Sequence, residues 1–153
     1  MLNKRLKTLS QAHSTLKTLL LKVLMARGKS KNQIKGKFVP LSHDLIKHKN
    51  FQSLSGNAVK LFIQLLCQFN GSNNGDYSCP YSTMQHMGWK SSGTLQNSID
   101  ELIKLGFIVK TRQGGRNRCN LYGDTLHPLD ECKGKLDAGF ANAKTFIGNW
   151  HKS

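Results

Sequence analysis

With 153 residues the chain is long enough for one domain with tails and a single core, which excludes a multidomain machine. An apolar share of 38% permits folding, and a formal charge of +15, from 23 Lys and Arg against 8 Asp and Glu, points to a polyanionic partner: nucleic acid or an anionic membrane surface. No apolar run is long enough to span a bilayer, and no secretory signal pattern is visible, so a cytoplasmic chain with reduced thiols is expected, nucleoid-associated if it binds DNA.

The bases are unevenly placed. Residues 1–43 hold ten Lys and Arg and no acid, and residues 107–118 hold four and none. In contrast, residues 44–106 carry five bases and four acids, and residues 119–153 carry four of each. A nearly neutral body with cationic extensions suits a duplex-binding module, because counterions are released only where bases meet phosphates.

Residues 1–37 read as a basic N-terminal arm. Leu2, Leu6, Leu9, His13, Leu16, Leu20 and Val23 recur at alternating steps of four and three, a heptad seam. Three readings stay open: a dimerising coiled coil, an amphipathic helix on an anionic surface or in targeting, and translation upstream of a true start at Met25. The flanking Arg5 and Lys17 have no acidic partners, which counts against a homodimer through this seam. Arg27–Lys37 is too polar to fold alone and can lie along phosphates or enter a minor groove.

A domain is expected over residues 38–126. Ser42 caps a brief helix over His43–Lys49, and Ser55 opens a longer one with Val59, Phe62, Ile63, Leu66 and Cys67 on its buried face. Asn70–Gly75 is turn chemistry, and Tyr77–Cys79 is a short third strand beside a later hairpin. Pro80 precedes a short helix containing Met84 and Met87, and Gly88 sits in a tight turn. Over Ser92–Leu105 a helix follows, with Leu95, Ile99, Leu102 and Ile103 on one face, ended by Gly106. Phe107–Arg112 and Cys119–Asp124 are strands joined by a Gly-Gly turn. Residues 127–153, with poor periodicity, read as a C-terminal tail that either packs one segment on the domain or stays disordered, with Trp150 a capping contact in preference to a partner anchor.

The segment SSGTLQNSIDELIKLGFI resembles the recognition-helix region of bacterial winged helix-turn-helix proteins, and the basic hairpin after it takes the place of their wing. The run from about Phe38 to Asp130 is similar to small phage- and plasmid-associated members of that class. The resemblance implies an α+β fold, a winged helix-turn-helix with a three-helix core and a β-hairpin wing. It also implies binding of double-stranded DNA by a transcriptional regulator or replication-associated protein, with a homodimer left open. Ser92, Thr94, Gln96 and Asn97 match the family's contact positions. The chain departs from the family in lacking Arg at 96 and 97 and in having Gly93, which removes charge from the reading helix.

Gln96 and Asn97 can donate and accept at once, as the N6/N7 edge of adenine requires. Lys110, Arg112, Arg116 and Arg118, with Asn117 as spacer, supply a phosphate grip, and Lys90 in the turn adds a backbone contact. The helix starts at Ser92 and Ser55 offer amides to phosphates. For each group the plainer alternative is a solvated face with unused charge. Cys67, Cys79, Cys119 and Cys132 lack zinc spacing, Cys67 is expected in the core, and no metal or cofactor site is expected. No catalytic constellation or small-molecule motif is present, so the expectation is a non-enzyme. The rival is a winged helix adaptor for RNA or protein, with Trp89 the main candidate for base stacking.

Overall fold

Ser42 Oγ accepts from Leu45 N at 3.1 Å and opens α1 (His43–Lys47). The helix expected over His43–Lys49 breaks at His48, where an extended backbone (φ −68°, ψ 139°) ends α1. His48 Nδ1 then accepts from Asn50 N at 3.3 Å and starts α2 (Lys49–Gln52). These elements belong to a computed structural model that describes residues 35–140 and 146–152. The heptad seam and its three readings lie outside the described residues, as does the arm up to residue 34.

Ser55 caps α3 (Gly56–Leu66), accepting from Ala58 N at 3.2 Å. Its buried face is Ala58, Leu61, Phe62, Leu65 and Leu66. The expected phase was therefore off by about one residue: Ile63 is 39% exposed, and Cys67 is exposed rather than in the core. An almost unbroken apolar run fits two stripes equally well. What decides between them is Lys60 and Gln64, whose polar ends are bonded to the turn before the next long helix.

After Pro80 come α4 (Tyr81–Met84), a 3-10 turn at Gln85–Met87 and Gly88 at φ 85°. Ser91 caps α5 (Ser92–Lys104), which buries Leu95, Ile99 and Leu102 as the spacing requires, with Ile103 half-buried. Burial of side chains this size contributes roughly 1.5–3 kcal/mol each. Strands β1 (Ile108–Arg112) and β2 (Leu121–Asp124) pair antiparallel, with Ile108 opposite Asp124 and Lys110 opposite Tyr122. The third strand expected over Tyr77–Cys79 is reduced to one bridge, in which Tyr77 and Tyr122 exchange bonds of 3.0 and 2.9 Å. The described residues thus form an α+β fold with five α-helices and a two-stranded antiparallel hairpin.

Phe38–Ser153 forms one compact unit, and the described residues after 126 pack on the same body as those before it. Asn74, fully buried, binds the segment after β2: its Nδ2 donates to the carbonyls of Asp124, His127 and Pro128, each at 3.1 Å. Asn74 Oδ1 accepts from Asp124 N at 2.8 Å. Leu129 and Cys132 are buried, and Asp137 N donates to Thr111 O at 2.9 Å along the outer edge of β1. Trp150 stacks on Phe107 (centroids 6.4 Å apart, 10° between planes), and Asn50 Nδ2 donates to its carbonyl at 2.7 Å. At Gly106 (φ 75°) a Cβ would meet the Asn149 backbone at 2.9 Å, so the helix terminator is also where the tail's backbone passes.

Candidate functional site

The orientation of α5 is fixed from both ends. Lys60 Nζ donates to Gly88 O at 3.0 Å and lies 5.1 Å over the Trp89 ring. One turn along α3, Gln64 Nε2 donates to Met87 O at 3.2 Å, and Gln64 Oε1 accepts from Trp89 Nε1 at 2.7 Å. Trp89 is therefore buried inside this bracket and is no exposed stacking platform. Toward the far end of α5, the Glu101 carboxylate accepts from Ser55 N at 2.6 Å and from Ser55 Oγ at 2.7 Å. A carboxylate at a helix N-terminus is a favourable charge–dipole pairing. It also occupies the Ser55 amide that the sequence had offered to phosphate.

The hairpin narrows to Gly115 and Arg118, which exchange backbone bonds of 3.0 and 3.1 Å around Arg116 and Asn117. Asn117 takes a left-handed φ of 62°, which Asn tolerates better than most residues, so it shapes the turn as well as spacing its charges. Gly114 allows the arms to close, since a Cβ there would meet Asn120 N at 2.7 Å. Its amide donates to Asn120 Oδ1, also at 2.7 Å. Arg116 and Arg118 are exposed at the tip and join no salt bridge among the described residues.

The four wing cations are not equivalent. Arg112 is half-buried, with Nη2 donating to Cys119 O at 3.2 Å and Nη1 to Lys135 O at 3.4 Å. It ties the hairpin to the C-terminal segment and is not presented like the two tip arginines. Lys110, also half-buried, donates to Gln113 Oε1 at 3.3 Å.

Ser92 and Gln96 on α5 face Gly114, Gly115, Arg118 and Asn120 of the hairpin across one cleft of about 420 Å³. On the other flank of the α5 N-terminus, Lys90, Ser91 and Thr94 share a smaller depression of about 220 Å³ with Lys60 and Asn57. At about 3.6 residues per turn, Asn97 falls on the outward arc between Gln96 and Thr94; it is exposed and lines neither hollow. The sequence reading missed Lys60, Asn57 and Asn120. Their only signal was polarity within or beside apolar runs, which identifies no partner.

The cysteines divide by environment. Cys79 and Cys119 both line the cleft, yet Cys79 is buried and Cys119 exposed. Burial, with Cys119 nearby, pushes the Cys79 thiol up to about 12, and burial pushes Cys132 up to about 11. Burial and then the Asp124 carboxylate hold the Tyr77 hydroxyl, which donates to Asp124 Oδ2 at 2.8 Å, far above its ordinary range. The folded chain keeps these protons more tightly than the unfolded one, so this contribution is complete below the ordinary thiol value of 9.0 and lost as pH rises through the folded values. At about pH 8 a thiol reagent should modify Cys67 and Cys119 rapidly, and Cys79 and Cys132 only on unfolding. Four equal rates, read by mass spectrometry of the labelled peptides, would contradict this placement. Among the described residues no three His, Cys, Asp or Glu are grouped to hold a metal ion, and no helix among them is long and apolar enough to cross a membrane.

Comparison with protein-family models, with curated proteins and with solved structures returns no match.

Proposed function

We propose that this chain is a winged helix-turn-helix protein that binds double-stranded DNA, acting as a transcriptional regulator or replication-associated protein of a bacterium or mobile element. In this reading α4, the turn through Gly88 and α5 are the helix-turn-helix, and β1–β2 is the wing. The observation that carries it is the shared cleft: Ser92 and Gln96 of α5 stand across from Arg118 of the hairpin, whose two tip arginines are exposed. A duplex can then place base edges against the first turns of α5 while its backbone meets the wing. In this reading Lys90, exposed beside Lys60 in the depression on the opposite flank, meets a backbone phosphate there. The work divides by chemistry: arginine and lysine supply affinity that falls with salt, and Gln96 and Asn97 supply what sequence preference there is.

The burial of Trp89 removes the main aromatic platform for unpaired bases and favours duplex over single strand. Fluorescence anisotropy of the full chain with a random duplex and a matching single strand, across a salt series, tests the proposal. The expected result is tighter duplex binding whose affinity falls steeply as salt rises. Equal or tighter binding of the single strand, or no binding of either, would overturn it in favour of an RNA or protein adaptor.

A further inference from the structure

Gln96 is not a free amide. Its Nε2 donates to Asp100 Oδ1 at 2.8 Å, one turn further along the exposed side of α5. The carboxylate settles which way the amide points, because a flipped Gln96 would set its own oxygen against an acceptor-only group. Gln96 Oε1 is thereby turned away from Asp100, while Gln96 itself lines the cleft opposite the hairpin. An unconstrained glutamine can match almost any base edge by rotating its amide; this one has one N–H committed to Asp100, so rotation is blocked and its acceptor stays turned outward beside the second N–H. The remaining lone pairs of Asp100 add further acceptors and a negative charge one turn away.

We infer that the Gln96–Asp100 pair selects, at one position of the bound duplex, a base carrying a major-groove amino group. That group is N6 of adenine or N4 of cytosine, and the keto oxygens of guanine and thymine are disfavoured there. The inference rests on the duplex-binding reading and names the base-edge chemistry that the same site takes. The physical reason is pairing of opposites: an exocyclic amine donates, and Gln96 Oε1, held outward by Asp100, accepts. Guanine presents O6 and N7, two acceptors that would face the Gln96 Oε1 acceptor. Asp100 is in this account a positioning residue, acting through Gln96.

The test is selection from a random duplex library with the full-length protein, its Asp100→Ala variant and its Asp100→Asn variant. Asp100 is exposed on the helix surface, so circular dichroism should show both variants folded. The wild-type protein should favour one base pair at one position, and replacing the amino-bearing base of that pair by its analogue lacking the amine (purine for adenine, 2-pyrimidinone for cytosine) should weaken binding about tenfold. Asp100→Ala should relax that position by about tenfold while leaving the other positions and the salt slope in place, the size expected for one good side-chain–base pairing. Asp100→Asn, which can still accept from Gln96 through its carbonyl oxygen, should keep the preference and bind all sequences more tightly. Duplex retained with the same preference in wild type and Asp100→Ala overturns this inference alone. Unchanged affinity when the amino group of the favoured pair is removed overturns it as well. A wild-type protein that retains no duplex overturns both the inference and the reading beneath it.

Discussion

Replacing Arg116 and Arg118 together with alanine is expected to flatten the dependence of duplex affinity on salt by about 1.8 in the double-logarithmic slope, at about 0.9 for each phosphate no longer neutralised. Between about 50 and 200 mM salt, the wild-type protein would then lose about tenfold more affinity than the double variant. All sequences should weaken alike, because arginines that grip phosphates carry no base information. The fold should be unaffected, since both side chains are exposed at a turn closed by backbone bonds between Gly115 and Arg118. Arg112→Ala makes the contrast: its guanidinium is engaged with the carbonyls of Cys119 and Lys135, so its removal should lower the unfolding midpoint and change the slope little. An unchanged slope in the Arg116/Arg118 variant would remove the hairpin tip from the binding surface.

The second large effect concerns the C-terminal segment. Trp150→Ala should destabilise the domain by about 3–5 kcal/mol, the range for truncating a large buried aromatic. Trp150 is only 7% exposed; it stacks on Phe107, meets His48 edge-on at 5.1 Å and receives the Asn50 amide at its carbonyl. Phe107 in turn meets Phe62 of α3 and Phe51 of α2, so the ring closes an aromatic cluster joining three parts of the chain. Urea unfolding followed by circular dichroism provides the measurement. A stability within about 0.5 kcal/mol of wild type would mean that the segment is an appendage.

Elements with a strong period and clear punctuation could be read from the sequence. Helix α5 was legible from Leu95, Ile99 and Leu102 between a serine cap and Gly106, and the hairpin from its two flanking strands, although the chain reverses at Arg116 and Asn117 rather than at the expected Gly-Gly pair. Helix α3 was placed correctly but its rotation was not, because Ile63 and Cys67 are as apolar as their neighbours. The facts that fix it, Lys60 on Gly88 O and Gln64 on Trp89, are contacts between residues more than twenty positions apart. The C-terminal segment was illegible for a related reason. It has no period because it is held by single residues, Leu129, Cys132 and Trp150, and by Asn74, whose four bonds reach fifty or more positions along the chain. At the candidate site, residue types were readable but roles were not: Arg112 and Arg118 look alike in sequence, and only folding separates a brace from an exposed tip.

A two-stranded ribbon normally leaves two unpaired rims on which another chain can template itself. Here one rim meets Asp137, whose amide bonds Thr111 O and whose carboxylate accepts from Gln113 N at 2.8 Å, while Tyr77 bonds Tyr122 on the other. With both borders taken at these points, sheet-to-sheet polymerisation has little purchase, and concentrated solutions of the protein should resist fibril growth seeded at the ribbon.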